Sequence, residues 1–228
     1  EQYSITREEQ DEFATRSHQL ASEARERGRL ALEIVPVEIP GRKGLVTRVE
    51  HDEHIRPDTT MEKLATLPAR FRQNGVVTAG NASGINDAAA MVVLSRYGTA
   101  RERGLPILGR IVSWGISGVD PKVMGIGPVP ATRMALQRAG LGVEALDIIE
   151  VNEAFAAQYL AVERELGLDR ERTNLNGGGL SIGHPLAATG ARVTLSALYE
   201  LREKNQRYAL STMCIGGGQG IAAILESA

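Results

Sequence analysis

Asp147-Ile148-Ile149-Glu150-Val151-Asn152-Glu153-Ala154-Phe155 is the stretch that decides the fold class. Residues 147–151 have the length and apolar weight of a buried strand. Residues 154–166 place apolar side chains at helical spacing, and Gly167 follows as a helix stop. Downstream the pattern continues: residues 186–204 read as a helix and 208–214 as a strand. Residues 221–225 form a last strand, joined to its predecessor by a glycine turn. Upstream, 110–119 is extended and 130–139 helical, closed by Gly140. Strand–helix alternation predicts an α/β layered fold, and the close final pair predicts a mixed sheet with antiparallel strands.

The first hundred residues are less regular. Thr6-Arg7-Glu8-Glu9 is a capping box, so a helix should run from there to Gly28. Residues 30–39 read as a strand stopped by Pro40-Gly41, and 41–70 as a polar loop excursion without a core. Val76-Val77-Thr78 reads as a short strand. Residues 88–103 read as a helix whose first half is apolar all round and therefore buried.

Composition narrows the function. Of the 228 residues, 43% are apolar and 24% charged, as in an ordinary globular protein. A net charge of −2 supplies no broad field for nucleic acid or an anionic membrane. The single cysteine, Cys214, excludes an intrachain disulfide framework and suits a reducing cytoplasm. The opening Glu1-Gln2-Tyr3 has neither a methionine nor an apolar leader. The expectation is a cytoplasmic piece of something longer.

Three segments stand where α/β sheets gather ligands, beyond strand ends or at helix starts. They are residues 152–155, residues 176–185 and Cys214-Ile215-Gly216-Gly217-Gly218-Gln219-Gly220. Taken singly, each has a plain alternative. Asn152 serves equally as a helix N-cap, His184 before Pro185 as a turn residue, and Cys214 as a buried hydrophobe. Four glycines within the six residues after Cys214 go further, because backbone amides without side chains can approach a ligand and stabilise an oxyanion. The glycines at 177–183 lack the G-x-G-x-x-G spacing, and no glycine run precedes Lys-Ser or Lys-Thr, so nicotinamide and nucleoside-triphosphate sites lose their main support. His51 and His54, with only Asp52 and Glu53 beside them, read as a solvated turn and not a metal site.

Together, Asn152-Glu153-Ala154-Phe155, Gly183-His184-Pro185-Leu186-Ala187-Ala188-Thr189-Gly190 and residues 214–220 resemble the three C-terminal signatures of thiolases, in the family's order. Gly80-Asn81-Ala82-Ser83-Gly84-Ile85-Asn86-Asp87 resembles a fourth, and residues 124–139 are similar to bacterial acetyl-CoA acetyltransferases and β-ketothiolases. One departure is Leu-Ala after Pro185, where Ile-Gly is common. The resemblance implies a layered α/β/α/β/α thiolase fold with a mixed five-stranded sheet in the C-terminal half and a CoA-binding loop domain. Residues 1–85 would be most of that loop domain, 86–106 the end of the N-terminal half, and 107–228 the C-terminal half.

It also implies roles. Cys214 would be the base that forms an enolate. His184 would activate a nucleophilic cysteine from a segment absent here, and Asn152 would hold a water in the oxyanion hole. The Gly216 amide would serve a second hole. Ser83 and Ala79 would line the pantetheine channel, Phe71 and Phe155 would pack against CoA, and Arg56 would meet its phosphates. Coenzyme A and acyl-CoA enter as substrates, with no permanent cofactor or metal. The implied partners are the missing N-terminal segment and further copies, as a homodimer or homotetramer. A catalytically inactive acyl-CoA-binding fragment is the alternative.

Overall fold

The computed structural model describes residues 2–228. Its centre is a four-stranded sheet in the order β3-β6-β5-β4, formed by Gly109–Gly118 (β3), Ile148–Val151 (β4), Tyr208–Ile215 (β5) and Gln219–Ser227 (β6). β4 runs parallel to β5, and β6 is antiparallel to both β5 and β3, so the sheet is mixed, as the glycine turn implied. Among the described residues no fifth strand joins this sheet. Thr173 makes one parallel bridge to Ile149, but Asn174 takes a positive φ of 49° and ends the extended path there.

Alternation along the strands separates two faces. Ile149, Val151, Leu210 and Ile224 point into the larger core with Val129 and Leu136 of α4 (Pro128–Ala139) and Tyr159 of α5 (Ala156–Leu166). Ile148, Ala209 and Leu225 point the other way, onto Ala197 and Leu201 of α6 (Thr189–Glu203). Gly140 and Gly167 close α4 and α5 in left-handed conformations, as their positions in the sequence suggested. The capping box also holds: Thr6 Oγ1 accepts from the Glu9 amide and the Glu9 carboxylate from the Thr6 amide, opening α1 (Arg7–Glu26). Phe13 of α1 stacks on Tyr159 at 3.9 Å, which fastens α1 to the main core.

Within the first eighty residues, three more expectations need correction. Residues 30–39 are not one strand. Arg29 pairs with Glu33 at 2.5 Å and with Glu200 of α6 at 2.6 Å, holding Leu30–Leu32 in a 3-10 turn; only Val37–Pro40 (β1) is extended, paired with Val46–Val49 (β2). The 41–70 excursion has structure of its own, since Ile55 is buried and α2 (Met61–Ala65) puts Leu64 into the main core. Residues 76–78 form only one bridge, between Thr78 and Ala69.

The expected helix over 88–103 shrinks to Tyr97–Glu102 (α3), and Met91, Val93 and Leu94 stand in the open at 75–87% exposure. A helix apolar on every side depends on burial all round, and the described residues place nothing over this segment.

Tight packing of β3 on α4 supplies a stability prediction. A Cβ on Gly115 would run into the Ala131 carbonyl oxygen and lie 3.0 Å from the Ala135 amide, both backbone atoms that cannot swing aside. Gly115→Ala should therefore lower the unfolding free energy by about 1–3 kcal/mol, read as a lower urea midpoint. Gly98→Ala, at a helical glycine with open space around it, should leave the midpoint unchanged or raise it slightly.

Candidate active site

β4 is an edge strand, and its last residue is bonded by a side chain in place of a neighbouring strand. Asn174 Oδ1 accepts from the Val151 amide at 2.9 Å, and its Nδ2 donates to the Val151 carbonyl at 2.8 Å. The chain then turns, with the Asn152 amide still donating to the Thr212 carbonyl of β5 at 2.9 Å. Asn152 is not an N-cap: Phe155 occupies that position of α5, and no side chain caps it. The Asn152 side chain is fully buried, and its Nδ2 lies 3.4 Å from both ring nitrogens of His184. Being equidistant from both, the amide packs against the imidazole and does not form one in-line hydrogen bond. Its Oδ1 has no donor among the described residues.

His184 lies five residues before Thr189, the first residue of α6, and Nδ1 is 2.8 Å from the Thr189 hydroxyl. In the tautomer where Nδ1–H donates to that oxygen, Nε2 keeps a free lone pair. Burial, and then the charge of Arg192, hold the His184 pKa below the usual imidazole value, so the ring is neutral at neutral pH. Its backbone amide donates to the Gly84 carbonyl at 3.2 Å, and Ile85 bridges to it in parallel.

That contact draws in the 80–87 segment. The Ser83 amide donates to the Ala154 carbonyl at 3.0 Å, and Ala82 bridges Phe155. Ser83 thus stands between the Asn152 turn and the His184 loop. Asn81 anchors the segment, accepting from the Thr78 amide and donating to Asp11 of α1. Phe71 meets Phe155 edge-on at 6.0 Å and is otherwise exposed. Ala79 lies exposed in the turn before Asn81. Arg56 is exposed on a loop whose His54 would touch a Cβ on Gly84. A cleft of about 540 Å³ beside Phe71 is lined by Val76, Val123, Gly125 and Ala157, and none of the four candidate catalytic residues reaches it.

Cys214 sits at the carboxyl end of β5, two residues beyond Thr212, so it shares one end of the sheet with Asn152 and His184. Its side chain does not share their face. Ser211 bonds Thr194 of α6, and the Met213 sulfur is near Gly190, so alternation turns Cys214 to the side of Leu210. No hydrogen bond joins Cys214 to His184 or Asn152 among the described residues. Burial pushes the thiol pKa up and leaves it protonated at neutral pH. Gly216 is exposed in the following turn, with open space where a side chain would stand.

The folded chain therefore brings Asn152 and His184 into direct contact and lays the segment carrying Ser83 alongside both, through Ala82–Phe155, Ser83–Ala154 and Gly84–His184 backbone pairings. Cys214 and Gly216 stand on the adjoining strand end, while Ala79 and Arg56 lie on flanking loops. Sequence reading missed Thr189 as the group that orients His184, although it lies within the Gly183–Gly190 segment. A neutral imidazole against an amide, with a protonated thiol and an exposed glycine turn at the same end of the sheet, supplies groups that can move a proton and polarise a carbonyl oxygen.

Known proteins share this sequence and fold. Residues 105–227 match the family model of the thiolase C-terminal domain, and residues 1–97 that of the thiolase N-terminal domain. The chain is 58% identical over 226 residues to beta-ketothiolase BktB of Cupriavidus necator, covering 99% of this chain and 57% of that protein. It is 56% identical over 224 residues to the 3-oxoadipyl-CoA/3-oxo-5,6-dehydrosuberyl-CoA thiolase of Escherichia coli K12, covering 97% and 56%. The acetyl-CoA acetyltransferase of Bacillus anthracis superposes with a TM-score of 0.97 at 51% identity, over all of this chain and 57% of that one. Human mitochondrial 3-ketoacyl-CoA thiolase in complex with CoA superposes with a TM-score of 0.90 at 44% identity, over all of this chain and 56% of that one. The chain thus spans little more than half the length of these relatives. With both family models matched and the fold reproduced in solved relatives, the chain belongs to the thiolase family.

Proposed function

We propose that this chain carries the enolate-forming half of a thiolase site, acting in reversible Claisen condensation and thiolytic cleavage of 3-oxoacyl-CoA. The observation that supports this most is the Asn152 amide against the neutral His184 imidazole, at the sheet end where Cys214 and the glycine turn also lie. A thioester α-proton is weakly acidic, so its removal needs a strong base and donors on the carbonyl oxygen. In this reading the Cys214 thiol first gives its proton to the CoA thiolate released in acyl transfer. The buried thiolate left behind has high proton affinity, which suits it to take the α-proton and later return it. His184 and a water on Asn152 would hold the enolate oxygen, and the Gly216 amide the oxygen of the acylated partner.

The acyl group itself needs a nucleophile, and Cys214 is the sequence's one cysteine. In this reading that nucleophile is a cysteine outside these residues, activated by His184 Nε2. Residues 1–85 serve as most of a CoA-binding loop domain. There Ser83 and Ala79 flank the pantetheine arm, Phe71 packs on CoA together with Phe155 of the C-terminal half, and Arg56 meets its phosphates. A CoA-bound human relative supports acyl-CoA as the ligand. The family's dimer or tetramer and a reducing, cytoplasmic setting complete the proposal. No described helix is long and apolar enough to cross a membrane.

Thiolytic cleavage of acetoacetyl-CoA tests it, measured with this chain alone and with a polypeptide of its relatives' length. Cleavage is expected only from the longer form, while CoA raises the melting temperature of both. Cleavage by the 228 residues alone would contradict the assignment of the nucleophile. CoA stabilisation without cleavage in either form would leave a binding fragment as the correct reading.

A further inference from the structure

Glu153 follows Asn152 in the chain, is fully buried, and has no part in the chemistry above. Three donors converge on its carboxylate. Oε2 accepts from the Ser17 hydroxyl of α1 at 2.6 Å and from the Leu180 amide at 3.2 Å. Oε1 accepts from Asn174 Nδ2 at 2.8 Å.

The surroundings are built tightly around this group. The Ser17 oxygen also accepts from the Gly178 amide at 3.3 Å and lies 2.9 Å from the Ser181 hydroxyl. A Cβ on Gly178 would come within 2.7 Å of the Glu153 carboxylate oxygens. One on Gly179 would meet the Glu153 carbonyl at 2.6 Å and Asn152 Oδ1 at 3.0 Å. The turn at 178–180 is therefore pressed onto residues 152 and 153, and four residues later it delivers His184.

We propose that Glu153 is a positioning residue, whose carboxylate locks the 178–180 turn to the end of β4 so that the Asn152 amide and His184 imidazole meet. Its kinetic consequence rests on the thiolase reading; the geometric claim does not.

Glutamine cannot replace this carboxylate. Asn174 is held by both Val151 backbone groups and cannot flip, so its Nδ2 remains a donor. The side-chain nitrogen that Glu153→Gln introduces must then face either Asn174 Nδ2 or the Leu180 amide, donor against donor, in either orientation. The Ser17 hydroxyl can reverse its proton, but the other two donors cannot.

The test combines two readouts on Glu153→Gln. In this 228-residue chain, the His184 ring is titrated by NMR, which needs no enzymatic activity. Its midpoint, held down by burial, is expected to move up towards that of a free imidazole while the far-UV dichroism stays unchanged. In the relatives'-length polypeptide, kcat for acetoacetyl-CoA thiolysis should fall about 100-fold with KM changed less than about 3-fold, the pattern of a misplaced catalytic group. Glu153→Asp, which keeps the acceptor pair on a shorter stem, should recover part of kcat.

If Glu153→Gln does not fold, Ser17→Ala carries the test by removing one donor only; it should shift the His184 midpoint in the same direction, by less. An unchanged His184 midpoint in folded Glu153→Gln would overturn the proposal, as would an unchanged midpoint in Ser17→Ala where the first variant fails to fold. So would a loss confined to KM. A wild-type protein without thiolysis would reject the thiolase reading, and the NMR titration would still decide the positioning role.

Discussion

His184→Ala in a polypeptide of its relatives' length should lower kcat for thiolysis and for condensation together, by roughly 1,000-fold, the middle of the range for a positioned acid–base group. Both half-reactions should suffer, because His184 Nε2 is assigned two tasks, activating the nucleophile and donating to the thioester oxygen. Acyl-enzyme formation, read as the mass of one acetyl group added to the protein, should become undetectable on the wild-type timescale. The fold should persist, since the ring is half-buried and its one strong side-chain partner is Thr189. In the unmutated protein the pH dependence has a definite sign. The active form is the neutral ring, whose pKa is held below the usual imidazole value by burial and then by Arg192. Activity should hold as pH falls towards that lowered pKa and disappear below it as the imidazole gains a proton. A plateau continuing well below the pH at which the His184 ring titrates by NMR would contradict the role.

Cys214→Ala is expected to separate the half-reactions. Acyl transfer from acetyl-CoA to the enzyme needs no α-proton removal and should continue, with the acetyl adduct still seen by mass. Condensation should fall by about 1,000-fold, and so should exchange of acetyl-CoA methyl protons with deuterated water. This phenotype is distinct from that of His184→Ala, where the adduct itself is lost. The substitution removes a sulfur that is 4% exposed at a strand end, so a modest stability loss of about 1–2 kcal/mol should accompany it. Loss of adduct formation in Cys214→Ala would place the thiol in the wrong step.

The part of the molecule that the sequence made legible is the part whose signals are local. The β4–α5 and β5–β6 units follow from apolar periodicity and from glycines at fixed offsets, and the capping box at Thr6 needs only four residues. The site candidates were legible as clusters of an amide, an imidazole, a thiol and glycines. What escaped depends on contacts between distant segments. Arg29 reaches Glu200, 171 residues away, and so turns an apparent strand into a 3-10 turn. Glu153 is held by Ser17 across 136 residues and by Asn174 across 21, which no spacing rule reports. The 88–103 segment fails as a helix for the opposite reason. Its pattern specifies burial that no described residue supplies. Alternation on β5 could have warned that Cys214 lies on the face opposite Met213, and therefore that its thiol does not share the face of the His184–Asn152 contact.

That placement makes one measurement decisive: a crystal structure of the relatives'-length polypeptide, inactivated by Cys214→Ala, with acetyl-CoA bound. The expected result has the thioester oxygen within hydrogen-bond reach of the His184 ring, a water between it and the Asn152 amide, and the acetyl methyl against the residue-214 side chain. An acetyl-CoA whose thioester lies at the other end of the sheet, or behind β5 with His184 and Asn152 out of reach, would contradict it.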